Sequence, residues 1–109
     1  MAGPSLKLSD RWEEAGKTQN GLSLYVDRVT KSSPSENIVR AWVKTLDKSL
    51  DYMDLIEVDC LRLKIRRLES QRKSPAFADH SNEWRFIIPE SASEIVSNNV
   101  CSDLDKPNK

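Results

Sequence analysis

The chain has one histidine, two cysteines and three glycines among its 109 residues, and no uninterrupted apolar run longer than three residues, Phe86–Ile88 being one such run. Each shortage excludes a class of chemistry. A membrane-spanning helix needs about 20 consecutive apolar residues, which are absent. Three glycines are too few for a backbone phosphate cradle, and no P-loop, Gly-x-Gly-x-x-Gly or His-Glu-x-x-His motif occurs. Cys60 and Cys101 form no Cys-x-x-Cys pair. With one histidine they fall short of the four ligands of a structural zinc. Charge excess is missing as well: 17 basic residues balance 17 acidic ones. Bulk electrostatic binding to nucleic acid needs a basic footprint, so no nucleic-acid partner is expected. Met1-Ala2-Gly3-Pro4-Ser5 carries neither a charged n-region nor an apolar h-region. Two expectations remain: a cytosolic protein, or an exported one whose signal is absent from this chain.

The residues that are present describe one small domain with a thin core. Hydrophobic residues make up 38% and charged residues 31%, a balance that fits neither disorder nor a membrane span. Residues 1–8 read as a flexible tail, 9–101 as the domain and 102–109 as a second tail. Trp12 can open a strand, and Gln19-Asn20-Gly21 marks a turn. The apolar match around that turn is poor for a two-residue hairpin, so a longer loop starting near Gly16 is expected. Leu22, Leu24 and Val26 alternate as in a half-buried strand. Lys31–Ser35 reads as a break. Over Asn37–Leu46, Val39, Ala41 and Val43 share one face while Ile38, Trp42 and Leu46 share the other, which predicts a central strand covered on both sides. Asp47-Lys48-Ser49 turns the chain into a strand over Tyr52–Asp59. Leu61, Leu63 and Ile65 alternate with Arg62, Lys64 and Arg66, which extends the strand reading, with a bulge or tight turn near Asp59-Cys60. Ser91 and Glu94 fit a capping box, and Ala92, Ile95, Val96 and Val100 form one apolar stripe of a C-terminal helix.

Two readings of the cysteines stand side by side: buried free thiols in a cytosolic protein, or one disulfide in an exported one. Their positions, one in the strand region and one at the end of the helix, favour the disulfide. On an ideal wheel Cys101 lies round from the Ile95–Val96 stripe, so the helix is expected to end before it. His80 sits in a polar loop and reads as solvated, with haem or metal ligation as the minor alternative. Glu13-Glu14 and Asp51/Asp54 would do acid–base work only if buried, and no triad spacing stands out, so no catalysis is expected. Arg62, Lys64, Arg66 and Arg67 are the densest basic cluster, either a binding face or a solvated one paired with acids such as Glu57. Trp12, Trp42 and Trp84 read as packing residues.

The order of landmarks is itself informative. Trp12 is followed by Tyr25-Val26-Asp27, by Val39-Arg40-Ala41-Trp42-Val43-Lys44, and by Asp59-Cys60 with Arg66 just beyond. Trp84, Ile88-Pro89-Glu90-Ser91 and Cys101 complete the set. From Trp12 to Cys101 this resembles the surface-adhesin protein E family of Gram-negative bacteria. The resemblance implies an α+β fold, a curved antiparallel β-sheet of about six strands with a C-terminal α-helix tethered by a Cys60–Cys101 disulfide. It implies export to the periplasm or outer-membrane surface, often on a lipid anchor that this chain does not show. It also implies binding of host matrix and plasma proteins such as laminin, vitronectin and plasminogen, or of envelope components, a link to haem, and homodimer formation. Residues available for binding would be Arg62, Lys64, Arg66, Arg67 and, for haem, His80. The alternatives are a small-molecule (haem) carrier and a structural envelope protein without a ligand.

Overall fold

The computed structural model describes residues 8–102. The tails expected at both ends lie outside the described residues, except for Leu8 and Ser102. A four-residue helix, α1 (Leu8–Arg11), leads directly into β1 (Trp12–Lys17). There follow β2 (Ser23–Asp27), β3 (Ser32–Ser35), β4 (Ile38–Asp47), β5 (Leu50–Asp59), β6 (Lys64–Arg72), a 3₁₀ turn at Pro75–Phe77, β7 (Arg85–Phe86) and α2 (Ala92–Val100). All pairings are antiparallel, in the order β1-β2-β4-β5-β6-β7. The sheet has seven strands rather than about six.

The additional strand is β3. The Lys31–Ser35 segment, read as a break, pairs Ser32 with Arg40 and Ser35 with Ile38. Pro34 is tolerated there because an edge strand leaves one side of its backbone unpaired. One long edge of β4 is thereby divided: β3 takes its first residues and β2 takes Val43–Leu46.

The core lies on one face of the sheet. Leu24, Val26, Val39, Ala41, Val43, Ile56, Val58 and Ile65 point into it from the strands, and Phe77, Ala92, Val96 and Val100 close it from above. The period-two alternation of β4 and β5 and the helical stripe of α2 are thus read out directly. The expectation that β4 is covered on both sides does not hold. Among the described residues no helix or second sheet lies over the other face beyond the short α1 at its margin. Trp42, Leu46 and Ile38 are half-buried there, beside the long Arg40 and Lys44 side chains of their own strand.

The turn after β5 also departs from the alternation expected over Leu61–Arg66. Asp59 Oδ1 accepts the backbone N–H groups of Leu61 and Arg62 at 3.1 and 3.0 Å, and Leu63 N donates to Asp59 O at 2.8 Å. Asp59 in this way closes a tight turn, β6 starts only at Lys64, and Leu61 and Leu63 stand in solvent. Leu63 has φ 58°, a left-handed conformation costly for a leucine.

Ser91 caps α2 by accepting from Glu94 N, while Glu94 Oε1 reaches back to the N–H of Glu90 at 2.7 Å. The helix ends at Val100, and Cys101 leaves it to bond with Cys60, the Cα atoms 5.7 Å apart. The fold is α+β, with the C-terminal helix tethered to the sheet by this disulfide. At the far edge α2 rests on β1, where Gly16 follows a bulge at φ 152°. A Cβ at Gly16 would lie 2.8 Å from Ile95 Cγ2, so this position needs a residue without one.

Candidate functional site

The open face of the sheet is built from cross-strand rows. Arg40, Glu57 and Arg66 stand opposite one another on β4, β5 and β6. Arg40 Nε donates to Glu57 Oε2 at 2.9 Å, and Arg66 donates to Oε1 from Nε at 3.0 Å and Nη2 at 2.8 Å. Burial pushes the Glu57 carboxyl up, but the two guanidinium groups outweigh it and hold the group below the usual carboxylate range. The outer face of Arg66 lies against the Trp84 ring, 4.5 Å from its centroid.

Towards β1 the face becomes aromatic. Trp12 carries Lys44 Nζ at 4.4 Å from its ring centroid. It is the shared wall of two shallow grooves. One, of about 530 Å³, is lined by Glu14, Tyr25, Arg28, Lys44 and Leu46 besides Trp12. The other, of about 390 Å³, is lined by Trp42, Met53, Gln71, Thr30 and the Arg11–Asp27 pair. Arg11 grips Asp27 through Nε at 2.8 Å and Nη2 at 3.0 Å. Thr30 Oγ1 and Val29 N also donate to Asp27. Burial raises the Asp27 carboxyl, and these four donors together bring it below its ordinary value. Sequence reasoning missed this corner because Arg11, at the end of α1, and Asp27, at the end of β2, are 16 residues apart and meet only once β1 pairs with β2. The only available signal was Trp12 facing Asp27 across β1 and β2.

The basic cluster singled out in the sequence does not form one face. Arg62, in the turn, pairs with Asp59 at 3.2 Å. Lys64 lies over the Phe86 ring at 4.8 Å, and Arg66 belongs to the open face. Arg67 stands opposite Ile56, on the core side. It holds the His80 carbonyl from Nε at 3.1 Å and Nη2 at 2.6 Å. Lys64 and Arg66 share a face by alternation, and Arg67, next in an unbroken register, takes the other; the two register shifts of β6 fall beyond Arg67.

His80 is not a solvated loop residue. Its ring packs edge-to-face on Phe77, and Nε2 meets Ser93 Oγ at 2.7 Å. Nδ1 is buried without a partner among the described residues. Burial, followed by the positive charge of Arg85, lowers the imidazole from its ordinary value, with Arg67 adding to this and Asp79 opposing it. The Ser93–His80 distance is that of a nucleophile and its base, but no carboxylate orients Nδ1 and Ser93 is 3% exposed. His80 also helps to line an adjoining cavity of about 690 Å³, with Arg85, Phe86, Ile88 and Ser93 around it.

No family model, curated protein or solved structure matches this chain.

The acid pairs are equally informative. Glu13 and Glu14 are exposed, as is Asp51. Asp54 is buried on the core side, accepting from Ser70 Oγ at 2.5 Å and Ser74 N at 3.2 Å. Burial raises its carboxyl despite these bonds and the nearby Arg67 and Lys73. It anchors the segment after β6 and opens onto neither groove. Among the described residues no three His, Cys, Asp or Glu side chains converge as metal ligands.

Proposed function

We propose that this domain is an exported, non-catalytic binding module that recognises a protein partner through the open face of its sheet. The observation that carries the reading is Trp12 standing between two grooves, with Tyr25, Trp42, Lys44 and Arg28 around it. Aromatic and arginine side chains on a preformed surface are the anchors that dominate protein–protein recognition. The Arg40–Glu57–Arg66 row cross-links β4, β5 and β6 on this face, and the Arg11–Asp27 fork ties α1 to β2. Export is supported by the Cys60–Cys101 bridge, since disulfides persist in oxidising compartments. The landmarks from Trp12 to Cys101 favour an adhesin-like role, with host matrix proteins or envelope components as the partner class.

The test is capture on the immobilised domain of matrix proteins, plasma proteins and envelope fractions. A partner should bind at micromolar concentration or tighter, and Tyr25→Ser with Lys44→Glu should weaken it about tenfold or more. A domain that captures nothing at that concentration, or whose partner ignores both substitutions, is not working through this face.

A further inference from the structure

The cavity beside His80 is bounded by groups that the open face of the sheet does not use. It measures about 690 Å³, and Asp79, His80, Arg85, Phe86, Ile88 and Ser93 are among the residues that line it. That size falls within the ~300–1,000 Å³ typical of small-molecule sites. Arg85 stands opposite Ile65, a core residue, and so on the side of the sheet that α2 covers. Phe86 and Ile88 are 71% and 62% exposed. Large apolar side chains at the mouth of a cavity supply the wall that an apolar ligand group covers.

The inner wall is polar, and its hydrogen bonding is incomplete. Ser93 is 3% exposed, and its hydroxyl meets only His80 Nε2, at 2.7 Å, among the described residues. His80 Nδ1 is buried without a partner among them. A buried N–H with no acceptor is costlier than a bare ring nitrogen, which assigns the proton to Nε2 and makes Nε2 the donor to Ser93 Oγ. The hydroxyl hydrogen of Ser93 is then free to be donated into the cavity.

The charges on the lining are of both signs. Arg85 and Asp79 both line the cavity, and neither forms an ion pair among the described residues, with the other or with any third group. Both act on the His80 imidazole, in opposite directions. Glu83 and Glu90 flank this stretch in sequence and Lys64 lies over the Phe86 ring, but none of the three lines the cavity. A cation, an anion, a hydroxyl donor and an apolar wall together match a small molecule that carries both charges beside an apolar group. We propose that this cavity binds a free α-amino acid with an apolar side chain. Its carboxylate meets Arg85 and the Ser93 hydroxyl, its ammonium meets Asp79, and its side chain lies against Phe86 and Ile88.

Ligands with a single charge fit less well. A fatty acid brings a carboxylate to Arg85 but leaves Asp79 beside it as a like charge. An apolar amine satisfies Asp79 and leaves its ammonium beside Arg85. The cavity shares no residue with the Trp12 grooves, so its fate does not depend on that reading.

The experiment is titration of the full chain, disulfide intact, with L-phenylalanine, followed in nitrogen–proton correlation spectra. Two analogues with one charge each, phenethylamine and hydrocinnamate, are titrated in parallel. L-phenylalanine should bind with a Kd of about 1 mM or tighter and shift the backbone amides of Arg85 and Ser93. Each analogue should bind about tenfold or more weakly, having lost one charged contact. Arg85→Gln should weaken L-phenylalanine about tenfold and leave phenethylamine no weaker. Asp79→Asn should weaken L-phenylalanine by a similar factor and leave hydrocinnamate no weaker. Leu50→Ser, at the start of β5, should change nothing. Asp79, Arg85 and Leu50 are all exposed, and circular dichroism verifies each fold. Absence of binding at about 10 mM L-phenylalanine overturns the proposal. An analogue that binds as well as the amino acid also overturns it, as does binding that survives Arg85→Gln and Asp79→Asn together.

Discussion

At His80, burial and two nearby guanidinium groups act in the same direction. The imidazole is lowered first by burial, then by Arg85 and, less, by Arg67, with Asp79 opposing. The folded state therefore releases the proton more readily than the unfolded chain, whose histidine titrates near 6.5. The contribution is complete above pH 6.5 and is lost as pH falls through the lower folded value. Urea midpoints should accordingly fall as pH drops from about 6.5 to 5, and His80→Gln should flatten that part of the profile. An unchanged slope in the variant would assign the acid sensitivity to other groups. The sequence placed His80 in a polar loop, correctly, but solvation did not follow. Its partners Phe77 and Ser93 become neighbours only when the segment after β6 folds back on α2. Glu57 was different: its pairing with the basic residues of β6 was legible, because cross-strand neighbours follow from alternation.

Local patterns carried the elements wherever a single rule decided them. The strands around Leu24, Val43 and Ile56 and the Ser91-capped helix follow from alternation and the capping box. Where two rules competed, the reading failed. Pro34 argued against a strand, yet an edge position accepts it. Leu61 and Leu63 kept the alternation going, yet the Asp59 carboxylate ends it. The seat of α2 on β1 depends on one residue that the pattern read as the start of a loop and that the structure keeps inside β1. At Gly16 a methyl group would meet Ile95 Cγ2 at 2.8 Å, on a backbone at φ 152°. Gly16→Ala should destabilise the domain by about 1–3 kcal/mol, from overpacking and backbone strain together. Chemical denaturation would show this as a lower midpoint at an unchanged slope. A neutral result would mean that α2 slides freely on the sheet.

For the molecule as a whole, the fold class and the helix clamp were legible, since one stripe and two cysteine positions suffice to suggest them. The bareness of one sheet face was not, because residues that alternate apolar and polar look alike whether solvent, a helix or a partner covers them. Closing 41 residues between Cys60 and Cys101 should contribute roughly 4 kcal/mol on the chain-entropy view. That is a large share of the ~5–15 kcal/mol typical of a domain. Cys60→Ser with Cys101→Ser, or reduction of the native protein, should lower the denaturation midpoint by a matching amount. A loss below about 1 kcal/mol would show that the reduced chain keeps the ring nearly closed by packing alone.

The same bridge decides how the molecule bears load. Tension entering from the C-terminal side reaches Cys101 and passes through sulfur to Cys60 at the end of β5. It bypasses β6, β7 and α2 entirely. Only the strands before Cys60 lie in series with the pull, and the residues between the two cysteines cannot be paid out as slack. A domain working under flow or traction would then stretch less than its contour length allows. Its helix and last two strands would stay folded while the first strands carried the strain.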